Sequence, residues 1–144
     1  MKKTTKKHKI CVFIVSRESI LLEIGAIAMG GALGAVMRFW VSGAVYAWLG
    51  RDFPYGTLSV NVIGSFLIGI ASILLIEKLT IGAEARSFIM IGFLGAFTTF
   101  STFSLETLFL LQEGLLFKAG ANVLINVMFC IGATWAGMIL ARSL

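Results

Sequence analysis

One stretch of the chain combines hydroxyl and aromatic side chains inside a segment that is otherwise apolar. Residues 97–104 consist of five Ser or Thr and three Phe, and the flanking residues on both sides are largely apolar. Because lipid offers no water, a hydroxyl inside a membrane must bond to another protein group or face a water-filled path. The stretch is therefore either an interface between helices or the lining of a conduit.

Two other apolar segments carry polar side chains at helical spacing. The polar or small members of these two stripes are Asn61, Ser65, Gly69 and Ser72, and then Asn122, Asn126, Cys130, Thr134 and Gly137. A buried Asn often does no more than bond one membrane helix to another. Three asparagines on two segments, beside the hydroxyl stretch, nevertheless favour a lined pathway.

The chemistry of this lining suits an anion. Hydroxyls and Asn amides are neutral donors that can replace part of a hydration shell. A phenyl ring has a positive edge, so Phe100 and Phe103, three residues apart, could meet an anion edge-on. In a continuous helix Thr98, Thr102 and Glu106 fall at i, i+4 and i+8 and share the neighbouring face. The pattern indicates a path for a small, strongly hydrated anion.

Gly95 predicts an interruption of the helix that carries the hydroxyl stretch. Glycine weakens helical continuity, and a break at membrane depth is tolerated where the backbone lines a cavity. The carbonyl groups freed by such a break are natural ligands for Na⁺.

Arg38 is the basic residue that falls well inside a predicted span. At the bilayer centre it would cost at least about 2.5 kcal/mol unless it is paired or hydrated. It could reach back to the interface, or it could form a cationic vestibule that concentrates anions.

The composition is that of an integral membrane protein. Of the 144 residues, 58% are hydrophobic and 13% are charged, against about 25% charged in soluble chains. Cys11, Cys130 and His8 lack the spacing of a metal site, and we expect no disulfide between the two cysteines. No nucleophile–base pair is visible in the sequence, so we do not expect an enzyme. We also expect no nucleic-acid partner.

The sequence predicts an all-α domain of four membrane spans, residues 20–144, after a basic and flexible tail, residues 1–19. The predicted spans cover residues 20–49, 55–79, 85–113 and 119–141, each long enough to cross a bilayer. Both termini then lie on one side, which carries nine Lys or Arg against two on the other. This bias predicts cytoplasmic termini. Without the tail the count is three against two, so the four-span domain barely specifies its own orientation.

Residues 92–103, Gly-Phe-Leu-Gly-Ala-Phe-Thr-Thr-Phe-Ser-Thr-Phe, closely resemble the signature of the Fluc (CrcB-type) fluoride channels. The resemblance extends over about residues 22–142. It includes residues 31–35 with Arg38, and residues 56–58 with Asn61 and Gly64.

The resemblance implies a multi-pass protein of the cell (inner or plasma) membrane that exports fluoride passively. It further implies an antiparallel, dual-topology homodimer with two pores along its interface and a central structural Na⁺. By position, Gly95 and Thr98 would give backbone carbonyls to Na⁺, and Arg38 would lie near the vestibule. The residues implied for the fluoride pathway are Asn61, Phe100, Ser101, Thr102, Phe103, Glu106, Asn122 and Asn126.

Two features of the chain depart from the family pattern, and two other functions are alternatives. Ala96 occupies a position where the family usually has a second glycine. The basic tail favours one orientation of the chain, which argues against insertion in both orientations. A proton-coupled small-drug exporter would need an acidic residue in the middle of span 1, whereas Glu23 lies near its start. A membrane assembly factor, whose polar stripes only hold helices together, would conduct no ion.

Overall fold

The computed structural model describes the backbone of residues 3–78 and 81–144 and the side chains of residues 17–78 and 81–144. The described part is helical, and four helical stretches are long and apolar enough to cross a membrane: Arg17–Leu49, Tyr55–Lys78, Ala83–Gln112 and Leu116–Ser143. We call them spans 1 to 4. They confirm the predicted all-α, four-span membrane fold. The side chains of residues 1–16 lie outside the described part of the chain. The predicted flexibility of the tail, residues 1–19, therefore stays a prediction.

Span 1 belongs to a longer helix, Lys3–Leu49, and span 2 comprises an α-helix, Tyr55–Ser72, continued by the π-helical turns Ile73–Lys78. Span 4 is one α-helix, Leu116–Ser143. Span 3 is composite: an α-turn Ala83–Arg86, π-helical turns Ser87–Leu94, an α-turn Gly95–Phe97 and, after a break, the helix Phe100–Gln112. The π-helical turns were not predicted from the sequence.

Short connections end the spans with residues suited to the purpose. Gly50 and Gly114 have φ of 80° and 75°, a left-handed conformation that glycine adopts without strain. After span 3 the N–H of Leu115 bonds to the carbonyl of Leu110 at 2.8 Å, closing the last turn. Pro54 directly precedes the first residue of span 2, where its restricted φ and missing N–H suit the start of a helix.

The break in span 3 lies three residues beyond its predicted position. The predicted break in the third helix is confirmed, but Gly95 itself is helical, with φ −63° and ψ −36°, so the predicted position of the break at Gly95 is wrong. Thr98 and Thr99 are extended instead: ψ is 159° at Thr98, and φ is −152° at Thr99. Because the break separates Thr98 from Phe100–Gln112, the predicted helical face shared by Thr98, Thr102 and Glu106 does not exist.

Glycines allow the spans to pack in two close pairs. Span 1 packs chiefly on the first half of span 3, where Gly30 and Gly34 lie against the backbone of Phe93. Span 2 packs chiefly on span 4, where Gly69 faces the carbonyl of Thr134 and Gly137 faces that of Phe66. A Cβ atom at any of these glycines would lie closer to backbone than real Cβ atoms do. These glycines thus allow the close helix contacts that stabilise a membrane bundle.

We expect Gly137→Ala to lower the free energy of unfolding by about 1–3 kcal/mol, because the added methyl group forces spans 2 and 4 apart. The measurement is reversible unfolding of the purified protein in mixed micelles, followed by circular dichroism. Gly132→Ala is the matched control, since Gly132 lies on the same helix with nothing within 4 Å of an added Cβ. Equal destabilisation by both substitutions would contradict the close packing.

Candidate functional site

Six of the eleven predicted site residues line an open groove on the protomer surface. The groove has a volume of about 400 Å³ and lies between span 2, the break in span 3 and span 4. The predicted residues that line it are Asn61, Gly95, Thr98, Phe100, Phe103 and Asn126. Ser101, Thr102, Glu106, Asn122 and Arg38 lie outside this lining. The walls are mostly apolar, and the polar groups concentrate at the break.

Asn61 of span 2 holds the break through two hydrogen bonds to one residue. The N–H of Thr99 donates to Asn61 Oδ1 at 2.8 Å, and Asn61 Nδ2 donates to the carbonyl of Thr99 at 3.1 Å. Thr99 is buried. The Asn61 carboxamide therefore satisfies both backbone groups of an extended residue that lipid would leave unpaired.

Thr99 also starts the second half of span 3. Its Oγ1 accepts from the N–H of Thr102 at 3.2 Å and donates to Thr102 Oγ1 at 3.0 Å. A Thr at this position is a favoured helix N-cap, because it satisfies a backbone donor that has no intrahelical partner. The N-cap spacing Thr99 to Thr102 was a local signal for the true position of the break, and the sequence reasoning missed it.

The hydroxyl groups of the stretch divide into two sets. The hydroxyls of Thr98, Ser104 and Thr107 each donate to the carbonyl four residues earlier in the chain, at 3.1, 2.9 and 2.7 Å. Thr99, Ser101 and Thr102 cluster at the cap, where Ser101 Oγ lies 3.3 Å from Thr99 Oγ1. Of these residues, Thr98 and Thr99 line the groove.

Phe100 and Phe103 form an aromatic pair directly after the break. Their ring centroids are 5.3 Å apart, and the ring planes are tilted by 50°. Phe103 is 8% exposed and packed inside the protomer, whereas Phe100 is 78% exposed. A single protomer thus presents the Phe100 ring on its surface beside the polar break.

Three asparagines, two of them buried, connect the break to the far part of span 3. Asn61 Nδ2 donates to Asn126 Oδ1 at 3.3 Å, and Asn126 Nδ2 donates to Asn122 Oδ1 at 2.9 Å. Asn122 Nδ2 then donates to Thr107 Oγ1 at 2.8 Å. We call these four residues the asparagine chain. Asn122 and Asn126 are 0% and 4% exposed, so within one protomer they bond spans 2, 3 and 4 together.

Glu106 belongs to a second polar cluster, near the ends of spans 1 and 3. Its Oε1 accepts hydrogen bonds from the hydroxyls of Tyr46 at 2.8 Å and Thr57 at 2.9 Å. Among the described residues its buried Oε2 has no hydrogen-bond partner. The cluster borders a depression of about 250 Å³ that Arg51 and Asp52 also line. Tyr46 and Thr57 were not predicted as partners of Glu106, since their proximity arises from the packing of three spans.

Arg38 reaches the break from span 1. Its Nη1 lies 3.5 Å from the carbonyl of Thr98, which is longer than the roughly 2.7–2.9 Å of a strong charge-assisted bond. A carbonyl oxygen has two lone pairs, so that of Thr98 keeps capacity for another partner. Arg38 thus places a positive charge beside the predicted cation site.

The chain has many relatives with a common name. It matches the family described as CrcB-like protein, Camphor Resistance (CrcB), over residues 25–138. It is 58% identical to the "Fluoride-specific ion channel FluC" of Methylococcus capsulatus over 123 residues, which cover 85% of this chain and 54% of that protein. The chain therefore spans about half the length of that relative.

Two shorter relatives with the same printed name are covered almost completely. The protein of Hydrogenovibrio crunogenus is 53% identical over 118 residues, 82% of this chain and 89% of the relative. That of Geobacter metallireducens is 50% identical over 124 residues, 86% of this chain and 100% of the relative. Together with the four spans and the broken third helix, these matches place the chain in the CrcB-like family of multi-pass membrane proteins.

Proposed function

We propose that the protein is a passive fluoride channel of the cell (inner) membrane, which lets fluoride leave the cytoplasm down its electrochemical gradient. One observation carries the proposal: a polar helix break and the exposed ring of Phe100 meet at an open groove in an otherwise apolar surface. Neutral donors and ring edges suit a small anion. The family relatives named fluoride-specific ion channels support the same choice of ion.

The functional unit is an antiparallel homodimer. A 78% exposed Phe100 and an open, mostly apolar groove leave the site incomplete in one protomer. A second, oppositely oriented copy would cover the groove and enclose a path on each side of the interface. Along that path Phe100 and Phe103 present ring edges, and Ser101 and Thr102 continue the polar track. Glu106 lies toward one end, and Arg38 attracts anions to the break.

The same break could hold a structural Na⁺. The chemistry of the donors fits, because the candidate ligands Gly95 and Thr98 offer neutral backbone oxygens, which Na⁺ prefers. Two carbonyls leave the coordination of the ion incomplete, and a second protomer would double their number. When bound, Na⁺ would supply a fixed positive charge between the protomers, while the residues of each chain keep their own hydrogen bonds.

Purified protein in liposomes should release fluoride rapidly into a fluoride-free medium, as read by a fluoride electrode, and should exclude chloride. We expect Phe100→Ile to slow the release by about tenfold or more, which corresponds to about 1.4 kcal/mol of lost stabilisation of the anion in its path. The matched control is Phe117→Ile, since Phe117 is 96% exposed and lies outside the groove lining. Absence of fluoride release from the unaltered protein would refute the proposal and favour a non-conducting assembly factor.

Both orientations of the chain should occur in cells. C-terminal fusions to green fluorescent protein and to alkaline phosphatase should both be active, because the four-span domain carries almost no charge bias of its own. Replacing the five lysines of the tail with Gln should bring the two signals closer together. The replaced residues are Lys2, Lys3, Lys6, Lys7 and Lys9. Fluorescence without any phosphatase activity in the unaltered chain would show a single orientation and exclude the antiparallel dimer.

A further inference from the structure

We propose that the shared end of spans 1 and 3 binds a phospholipid whose headgroup carries a primary amine, of the phosphatidylethanolamine class. Glu23 accepts hydrogen bonds from the ammonium group, and Arg86 holds the phosphate. Both side chains line a depression of about 370 Å³ that shares no lining residue with the groove at the break. The inference goes beyond the proposed channel function and does not depend on it.

The depression lies at the depth of lipid headgroups. Span 1 has 33 residues and is therefore about 50 Å long, whereas the hydrocarbon core is about 30 Å thick. An equal share of the excess leaves about 10 Å of the helix beyond the core at each end. Glu23 follows Arg17, the first residue of the span, by six residues or about 9 Å. Its side chain thus meets the lipid where hydrocarbon gives way to headgroups.

Glu23 is held in place and keeps capacity for a further donor. Ser87, which is 5% exposed, donates from its Oγ to Glu23 Oε1 at 2.5 Å. Among residues 17–78 and 81–144 no other side chain donates to Glu23. An ionised carboxylate accepts at about four lone-pair sites. Because a charged group within a span needs a partner or water, the remaining sites call for donors from the lipid surface.

Arg86 provides the opposite charge at the same depression. It is exposed, and within the described part of the chain its guanidinium forms no hydrogen bond or ion pair. It is therefore not paired with Glu23, although both side chains line the depression. A guanidinium presents its N–H donors in one plane and can bind two oxygens of a phosphate at once. The two charges thus stay apart and are both open to a zwitterionic ligand.

This arrangement of charges selects one class of headgroup. A phosphate joined to a primary ammonium matches Arg86 and Glu23, and the ammonium has three N–H donors for a carboxylate. A choline group has the same charge but no N–H. A glycerol headgroup brings no cation, so it leaves the Glu23 carboxylate beside an anionic phosphate. Ala83, Met90 and Ile91 complete the depression and offer the acyl chains an apolar wall.

The first test compares headgroups on the unaltered, full-length protein. The protein in detergent micelles is mixed with equal amounts of phosphatidylethanolamine, its N-methyl and N,N-dimethyl derivatives and phosphatidylcholine, all with the same acyl chains. Native mass spectrometry counts the bound lipids. We expect binding to fall stepwise as N–H donors are lost, by about fivefold or more from the first lipid to the last. Equal binding of the four lipids would overturn the proposal, and so would a preference for phosphatidylglycerol added to the mixture.

Three substitutions locate the site. Glu23→Gln keeps the size of the side chain and removes its charge, so the preference for phosphatidylethanolamine over phosphatidylcholine should be lost. Arg86→Gln should weaken the binding of both lipids, because both carry a phosphate. The matched control is Glu84→Gln, on the same helical turn as Arg86 and outside the depression, which should keep the preference. Equal loss of preference in Glu84→Gln and Glu23→Gln would show a general effect of charge and refute the site.

Thermal unfolding, followed by circular dichroism, distinguishes a lost site from a lost fold. A ligand that binds only the folded state stabilises it by mass action. Phosphatidylethanolamine should therefore raise the unfolding temperature of the unaltered chain and of Glu84→Gln more than phosphatidylcholine does. In Glu23→Gln the two lipids should have the same effect, and a persisting difference would contradict the proposal. No step of these measurements requires ion flow, so a protein that failed to release fluoride would leave their result intact.

Discussion

The arrangement of this protein depends on one constraint: an extended residue inside a membrane must have both backbone groups hydrogen-bonded by the protein. Thr99 is that residue, and Asn61 meets the constraint from another span. Once Thr99 is held, its hydroxyl can cap the helix that follows, and Phe100 is placed at the groove. The polar cluster and the aromatic pair both follow from the same bonds.

Glycine packing brings Asn61 to the break. Span 2 can approach span 4 because Gly69 and Gly137 offer no side chain at the contact, and span 1 approaches span 3 through Gly30 and Gly34. Lipid tails are as apolar as the helix surfaces, so close backbone contact and hydrogen bonds must stabilise the bundle. The asparagine chain adds such hydrogen bonds between spans 2, 3 and 4.

The sequence predicted the fold better than it predicted the site. The length of the apolar segments was enough to predict the four spans and the all-α class. The predicted position of the break was wrong because glycine was given more weight than the capping residue Thr99. Thr99 can leave the helix only because Asn61, on another span, bonds to its backbone. Likewise, the bonds of Glu106 to Tyr46 and Thr57 join residues far apart in the chain, which a stripe of helical periodicity on one span cannot pair. The predicted pore roles of the asparagines remain predictions, and the structure adds their bonds to one another.

The asparagine chain has a consequence for how this sequence can drift over generations. Each of its carboxamides donates a hydrogen bond to the next member, so a change at one position leaves a donor or an acceptor of its neighbour unpaired. Residues so linked do not tolerate replacement independently, and their effects on stability are not additive. Lineages that lose one of these asparagines should therefore exchange its bonded partners as well. The residues of the asparagine chain should be retained or replaced together.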